Sequence, residues 1–215
     1  MKYKGIIFDL DGVICFTDKY HYLAWKRLAD KLGIYFDETI NNRLRGVSRM
    51  ESLEIILEKS TKKYSKEEKE DFAEQKNKMY VELLEDMTPA DLPKEVKTTL
   101  DDLRKQGVLL AIGSSSKNAK RILKHLGLEN YFDAISDGTN ITKSKPDPEV
   151  FLKAAEYLQL EPQECLVVED AVAGIKAATD GGFDSAGLGE ASECEMTTYP
   201  LSGCLLYTSP SPRDT

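Results

Sequence analysis

The chain has 215 residues, 41% hydrophobic and 31% charged, with a formal net charge of −8. That length accommodates one sizeable domain, or one domain with a smaller insertion. So acidic a chain argues against a nucleic-acid partner, and no apolar run approaches the roughly 20 residues that span a bilayer, so no membrane partner is expected either.

Met1-Lys2-Tyr3-Lys4 leads directly into a strand-like segment, so no signal peptide is expected. Cys15, Cys165, Cys194 and Cys204 lack C-x-x-C spacing. Cys15 and Cys165 sit in apolar strand-like contexts and read as buried thiols, which fits the reducing cytoplasm.

In chain order, "YKGIIFD" (3–9) is the first predicted strand. From Thr17 to Asp91 only helical patterns follow, including "SKEEKEDFAEQKNKMYVELLED", with Phe72, Met79 and Leu83 on one stripe. Leu92, Val96, Leu100 and Leu103 then recur at helical spacing before a strand at 108–114. Ala119, Ile122, Leu123 and Leu126 mark another helix, followed by strands at 132–136 and 165–170. Short apolar strands alternating with crossover helices predict an α/β fold, a Rossmann-like parallel sheet with helices on both faces. The long helical interval is too large for a plain crossover and predicts an inserted all-helical cap over 17–91, with the core at 1–16 and 92–189. No lysine follows Lys176, and residues 190–215 gather Ser, Thr and Pro. They read as a disordered or foreign tail.

The chemistry-bearing residues lie at predicted strand ends, where α/β sheets bind ligands. Asp9 and Asp11 follow Ile6-Ile7-Phe8. A D-x-D pair is more often a solvated turn, but this one is carried on a strand tip. A calcium loop fails, because Ile14 and Tyr20 occupy the positions for its glycine and its final acid. Two carboxylates held together need a cation or a proton. Glu169 and Asp170 close another strand. Alone they read as solvated; with Asp9 and Asp11 they make an oxygen-rich site suited to Mg²⁺. In "IGSSSKNAKRIL", Ser114 and its neighbours lead from strand to helix, where hydroxyls and free N–H groups either cap the helix or bind phosphate. Lys145, before Pro146, is a candidate charge clamp.

The ordered set Asp-x-Asp-Gly, strand-end Ser, Lys-Pro and Glu-Asp resembles the haloacid dehalogenase-like superfamily of phosphotransferases over residues 1 to about 189. Within it, "YHYLAW" (20–25), "RLRGVSRMESL" (43–53) and "EQKN" (74–77) are similar to the β-phosphoglucomutase family, which interconverts β-glucose 1-phosphate and glucose 6-phosphate. The resemblance implies Asp9 as a nucleophile that becomes an aspartyl phosphate, and Asp11 as general acid and base. It implies one Mg²⁺ held by Asp9, the Asp11 backbone carbonyl and Asp170, with Glu169 close by. Ser114 and Lys145 would bind the transferring phosphoryl group, and glucose 1,6-bisphosphate would prime the enzyme.

Arg49 would take the second phosphate, supported by Ser116, Lys117 and Asn118. His21, Arg45, Gly46, Val47 and Lys76 would line the sugar and sense cap closure, which must exclude water. Trp25, Ser52 and Ser115 complete the implied substrate contacts. As alternatives, His21 simply packs near Trp25 and Lys76 is simply solvated. The implied partner is a small phosphosugar and the implied state a monomer. The chain departs from the family at Phe16, usually an acid, at Ala171, commonly Ser, and throughout "CLLYTSPSPRDT". The competing readings are a sugar-phosphate phosphatase of the same superfamily and an inactive truncated product. A dehydrogenase is disfavoured, since no G-x-G-x-x-G follows the first strand.

Overall fold

Gly5–Phe8 is buried at all four residues and forms β1 in the computed structural model, which describes residues 2–45 and 47–201. A strand buried on both faces needs neighbours on both sides. β1 pairs in parallel with β2 (Leu109–Gly113) and with β4 (Cys165–Glu169). With β3 (Ala134–Ser136), β5 (Asp184–Gly187) and β6 (Tyr199–Pro200), the parallel sheet runs β3-β2-β1-β4-β5-β6. The strand order reverses beside β1, which is where such sheets open a crevice for ligand.

One face of the sheet is filled by Ile7, Ala111 and Val167, packed with Val150 and Phe151 of a helix at Glu149–Leu158 and Ala177 and Ala178 of a helix at Val172–Asp180. Ile6, Phe8, Leu110 and Ile112 alternate onto the opposite face and are buried there. No helix among the described residues is long and apolar enough to cross a membrane.

The chain divides into two compact units, residues 1–16 with 88 onward, and Thr17–Met87. The second unit holds α1 (Asp18–Leu32), α2 (Glu38–Asn42), α3 (Arg49–Leu57) and α4 (Lys66–Leu84). Ser48 with Glu51, and Ser65 with Glu68, form capping boxes that start α3 and α4. The core of this unit gathers Trp25, Leu28, Phe36, Ile40, Leu53 and Ile56. The first unit carries α5 (Lys94–Lys105), α6 (Ala119–His125), α7 (Glu149–Leu158) and α8 (Val172–Asp180).

Two expectations need correction. The buried face of α4 is Ala73, Lys76, Tyr80, Leu83 and Leu84, displaced from the Phe72–Met79–Leu83 stripe. The lysine within that face hides it from a reading of apolar spacing. Regular structure also continues past residue 190, with a 3₁₀ turn at Gly189–Glu193 and then β6. These pieces are held by local bonds, such as Ser185 N–H to Thr198 Oγ1 at 3.0 Å and Leu201 N–H to the Gly187 carbonyl at 2.9 Å. Such bonds leave no periodic signature. The rest of the expected tail, 202–215, lies outside the described residues.

Phe151 is fully buried against the sheet and against Phe183, ring centroids 6.2 Å apart. Phe151→Ala should destabilise the protein by about 3–5 kcal/mol, seen as a lower denaturation midpoint with an unchanged m-value.

Candidate active site

Strand register builds the site. Phe8 lies opposite both Ile112 and Val168, so the next residue on each strand, Asp9, Gly113 and Glu169, arrives at one level. The Asp9 N–H continues the ladder to the Val168 carbonyl at 3.0 Å. Lys145 comes from the segment between β3 and α7. Its ammonium donates to Asp9 Oδ1 at 2.9 Å, the Gly113 carbonyl at 3.0 Å and Glu169 Oε1 at 2.6 Å. The Lys145 side chain is 10% exposed and that of Glu169 fully buried. Burial works against the charged amine, but the Asp9 and Glu169 carboxylates outweigh it and hold Lys145 above its ordinary range.

Glu169 is tied on both oxygens, since Oε2 accepts the backbone N–H groups of Asp170 and Ala171, each at 3.0 Å. A backbone bond from residue 171 does not depend on its side chain, so alanine there leaves it intact. Asp9, Glu169 and Asp170 offer carboxylate oxygens that all lie within 4.8 Å of one another. Burial, and then the charge of Asp9, pushes the carboxyls of Glu169 and Asp170 upward. Crowded, desolvated hard oxygens of this kind fit a small divalent cation. The Asp11 backbone bridges to Cys15, with the Gly12 N–H donating to the Cys15 carbonyl at 2.7 Å. Gly12 has φ of +85°, and a Cβ there would stand 2.0 Å from Asp170 Oδ2, so only glycine serves. Burial, and then the nearby aspartates, pushes the Cys15 thiol well up, which leaves it inert.

Ser114 is buried, its N–H bonded to the Ser136 carbonyl at 3.0 Å and its Oγ accepting the Ser116 N–H at 3.2 Å. Ser116 Oγ in turn accepts the Asn118 N–H at 3.1 Å, and Ser115 Oγ accepts the Lys145 N–H at 3.3 Å. Lys117 is exposed. The first unit thus brings together Asp9, Lys145, Glu169, Asp170 and the Ser114–Asn118 turn.

The remaining expected residues belong to the second unit. Lys76 is only 4% exposed, and its Nζ lies 2.9 Å from His21 Nδ1 and 4.7 and 4.8 Å from the ring centroids of Trp25 and Tyr80. His21 stacks on Tyr80 at 4.0 Å. Burial, and then the Arg49 charge, lowers the Lys76 amine to about 7; burial and Lys76 hold His21 well below its usual range. Lys76 is therefore not solvated, and His21 packs on Tyr80. Arg49 donates to Asn77 Oδ1 at 3.0 Å, and exposed Arg45 approaches Asp18 at 3.5 Å. Ser52 is buried and Val47 half-buried, while Gly46 lies outside the described residues. Phe16 is 55% exposed.

Two contacts escaped the sequence reading: the Gly113 carbonyl at Lys145 and the Tyr80 ring at Lys76 and His21. A backbone carbonyl carries no sequence signal. Tyr80 was detectable as the i+4 neighbour of Lys76 on one helix face.

Residues 3–182 match the haloacid dehalogenase-like hydrolase family. The chain belongs to this family. As a haloacid dehalogenase-like enzyme it is 43% identical over 189 residues to β-phosphoglucomutase of Bacillus subtilis, covering 87% of this chain and 84% of that protein. It is 32% identical over 184 residues to a phosphorylated carbohydrates phosphatase of Thermotoga maritima, covering 84% of this chain and 82% of the relative. Among solved structures, β-phosphoglucomutase of Clostridium difficile superposes with a TM-score of 0.86 at 40% identity, covering 96% of this chain and 93% of that one.

Lys145→Met should destabilise the protein by about 3 kcal/mol at pH 7, because it strands buried carboxylates. The deficit should shrink at pH 5. Folded Glu169 and Asp170 keep protons that the unfolded chain releases above about pH 4, so stability falls as pH rises through that window. Denaturant melts at the two pH values test both points. Lys76→Met should have the opposite effect. The folded protein holds Lys76 at about 7 while the unfolded chain holds it near 10.5, so burying this amine costs most below pH 7. The variant's gain in stability should be largest at pH 6 and fade as pH rises from 7 towards 10.5.

Proposed function

We propose that this protein is a phosphosugar mutase that interconverts β-D-glucose 1-phosphate and D-glucose 6-phosphate. The observation that carries the reading is the Lys145 ammonium 2.9 Å from Asp9 Oδ1, at strand ends shared with Glu169. A carboxylate held beside a fixed cation is arranged to attack a phosphoryl group. The 43% identity to the Bacillus subtilis mutase directs the substrate assignment.

In this reading Asp9 attacks the phosphorus of the bisphosphate primer, glucose 1,6-bisphosphate. The Asp9 oxygen–phosphorus bond forms as the bond from phosphorus to the sugar oxygen breaks. Asp11 gives its proton to that leaving oxygen, and later takes one from the hydroxyl that receives the phosphoryl group back from Asp9. Lys145 and Ser114 hold the phosphoryl oxygens in place, and positioning with charge neutralisation is most of what phosphoryl transfer requires. Asp9, Asp170 and the Asp11 carbonyl, with Glu169 near, would hold one Mg²⁺. When bound, that ion neutralises charge on the transferring group.

Arg49 is the anchor for the second phosphate, its planar fork suited to bidentate contact. His21, Trp25, Arg45, Gly46, Val47, Ser52 and Lys76 serve the sugar. The protein acts as a cytoplasmic monomer on a small phosphosugar, without nucleic acid or membrane.

A second reading, a sugar-phosphate phosphatase, is favoured by the Thermotoga maritima relative. Phosphorus NMR of the protein with β-glucose 1-phosphate, Mg²⁺ and a trace of bisphosphate separates the two. A mutase yields glucose 6-phosphate with little inorganic phosphate, and chelation of the metal stops it. Arg49→Ala should lower isomerisation at least tenfold while some phosphate release persists. Inorganic phosphate appearing as fast as glucose 6-phosphate in the unmodified protein would overturn the mutase reading.

A further inference from the structure

Gly174 is the third residue of α8 and is buried in the helix's first turn. Its backbone gives no reason for glycine, because it is absent from the positions that adopt positive φ. The reason is space. A Cβ at 174 would stand 2.0 Å from Glu169 Cδ, 2.2 Å from Oε1 and 2.5 Å from Cγ. Oε1 is the atom that receives the Lys145 ammonium at 2.6 Å. Glu169 has little freedom to retreat, being fully buried with Oε2 held by two backbone N–H groups at 3.0 Å.

We propose that Gly174 is a positioning residue: the missing methyl on α8 forms the slot that holds the Glu169 carboxylate, and through it keeps Lys145 against Asp9. The contacts run in series, from Gly174 to Glu169, from Oε1 to Lys145 Nζ, and from Nζ to Asp9 Oδ1. The inference rests on the mutase reading only for the task given to Lys145, not for how that side chain is held.

The test uses the full chain without substrate. In ¹⁵N-labelled protein the Lys145 ammonium, assigned by its absence from Lys145→Met, should exchange slowly with solvent. In Gly174→Ala that exchange should accelerate at least tenfold, and the melting midpoint should fall by about 5 °C. Glu169→Ala supplies the decisive background, because it removes the three atoms nearest to the new methyl. There, adding Gly174→Ala should leave the melting midpoint unchanged or raise it. Should Gly174→Ala alone fail to fold, the Glu169→Ala/Gly174→Ala protein should still fold. An unaltered Lys145 exchange rate in Gly174→Ala, or a midpoint loss equally large in the Glu169→Ala background, would overturn the proposal. Absence of mutase activity in the unmodified protein would sink the functional reading and leave this one standing.

Discussion

A single ammonium sets the terms of the first unit. Parallel pairing forces Asp9 and Glu169 to one level, and Asp170 follows next in the chain, so the fold crowds carboxylates wherever the central strands end. Lys145 is the protein's own answer, bonded at once to Asp9, Glu169 and the Gly113 carbonyl. Its three partners come from the ends of β1, β4 and β2, so its position reports on the register of all three strands. Register and site are thereby coupled: a slip in any of these strands would part Lys145 from Asp9, Glu169 or the Gly113 carbonyl.

The second unit presents the inverse problem. Lys76 is buried beside His21, between the faces of Trp25 and Tyr80, and within the influence of Arg49. Ring quadrupoles attract a cation but compensate poorly for lost water. Burial of this amine therefore costs the fold stability wherever the group is charged. The acidic strand ends of the first unit and this basic, aromatic cluster of the second have opposite chemical character.

Much of this was legible in the letters. β1, β2, β3 and β4 show as apolar runs because burial on both faces leaves no room for polar alternation, and the acids stand out because they end such runs. β5 was not legible: Asp-Ser-Ala-Gly is short, small and poor in β-branched residues. β6 spans two residues and ends in proline, so only its hydrogen bonds reveal it. In α4 the pattern misled, since Lys76 reads as polar and pushes the apparent apolar stripe onto Phe72 and Met79. Features made of backbone or of empty space were invisible. The Gly113 carbonyl has no letter of its own, and the room beside Glu169 is written only as one more glycine in a helix.

The interrupted first unit also shapes how the molecule comes into being. Gly5 of β1 finds its partners only at Leu109 and Cys165, far along the chain. Thr17–Met87 lies between and forms its own compact body from neighbouring helices. Contacts close in sequence form faster than those that must close long loops. The strand that leads into Asp9 therefore waits as an unpaired apolar edge while the intervening helices assemble. During that interval such an edge is open to misassociation.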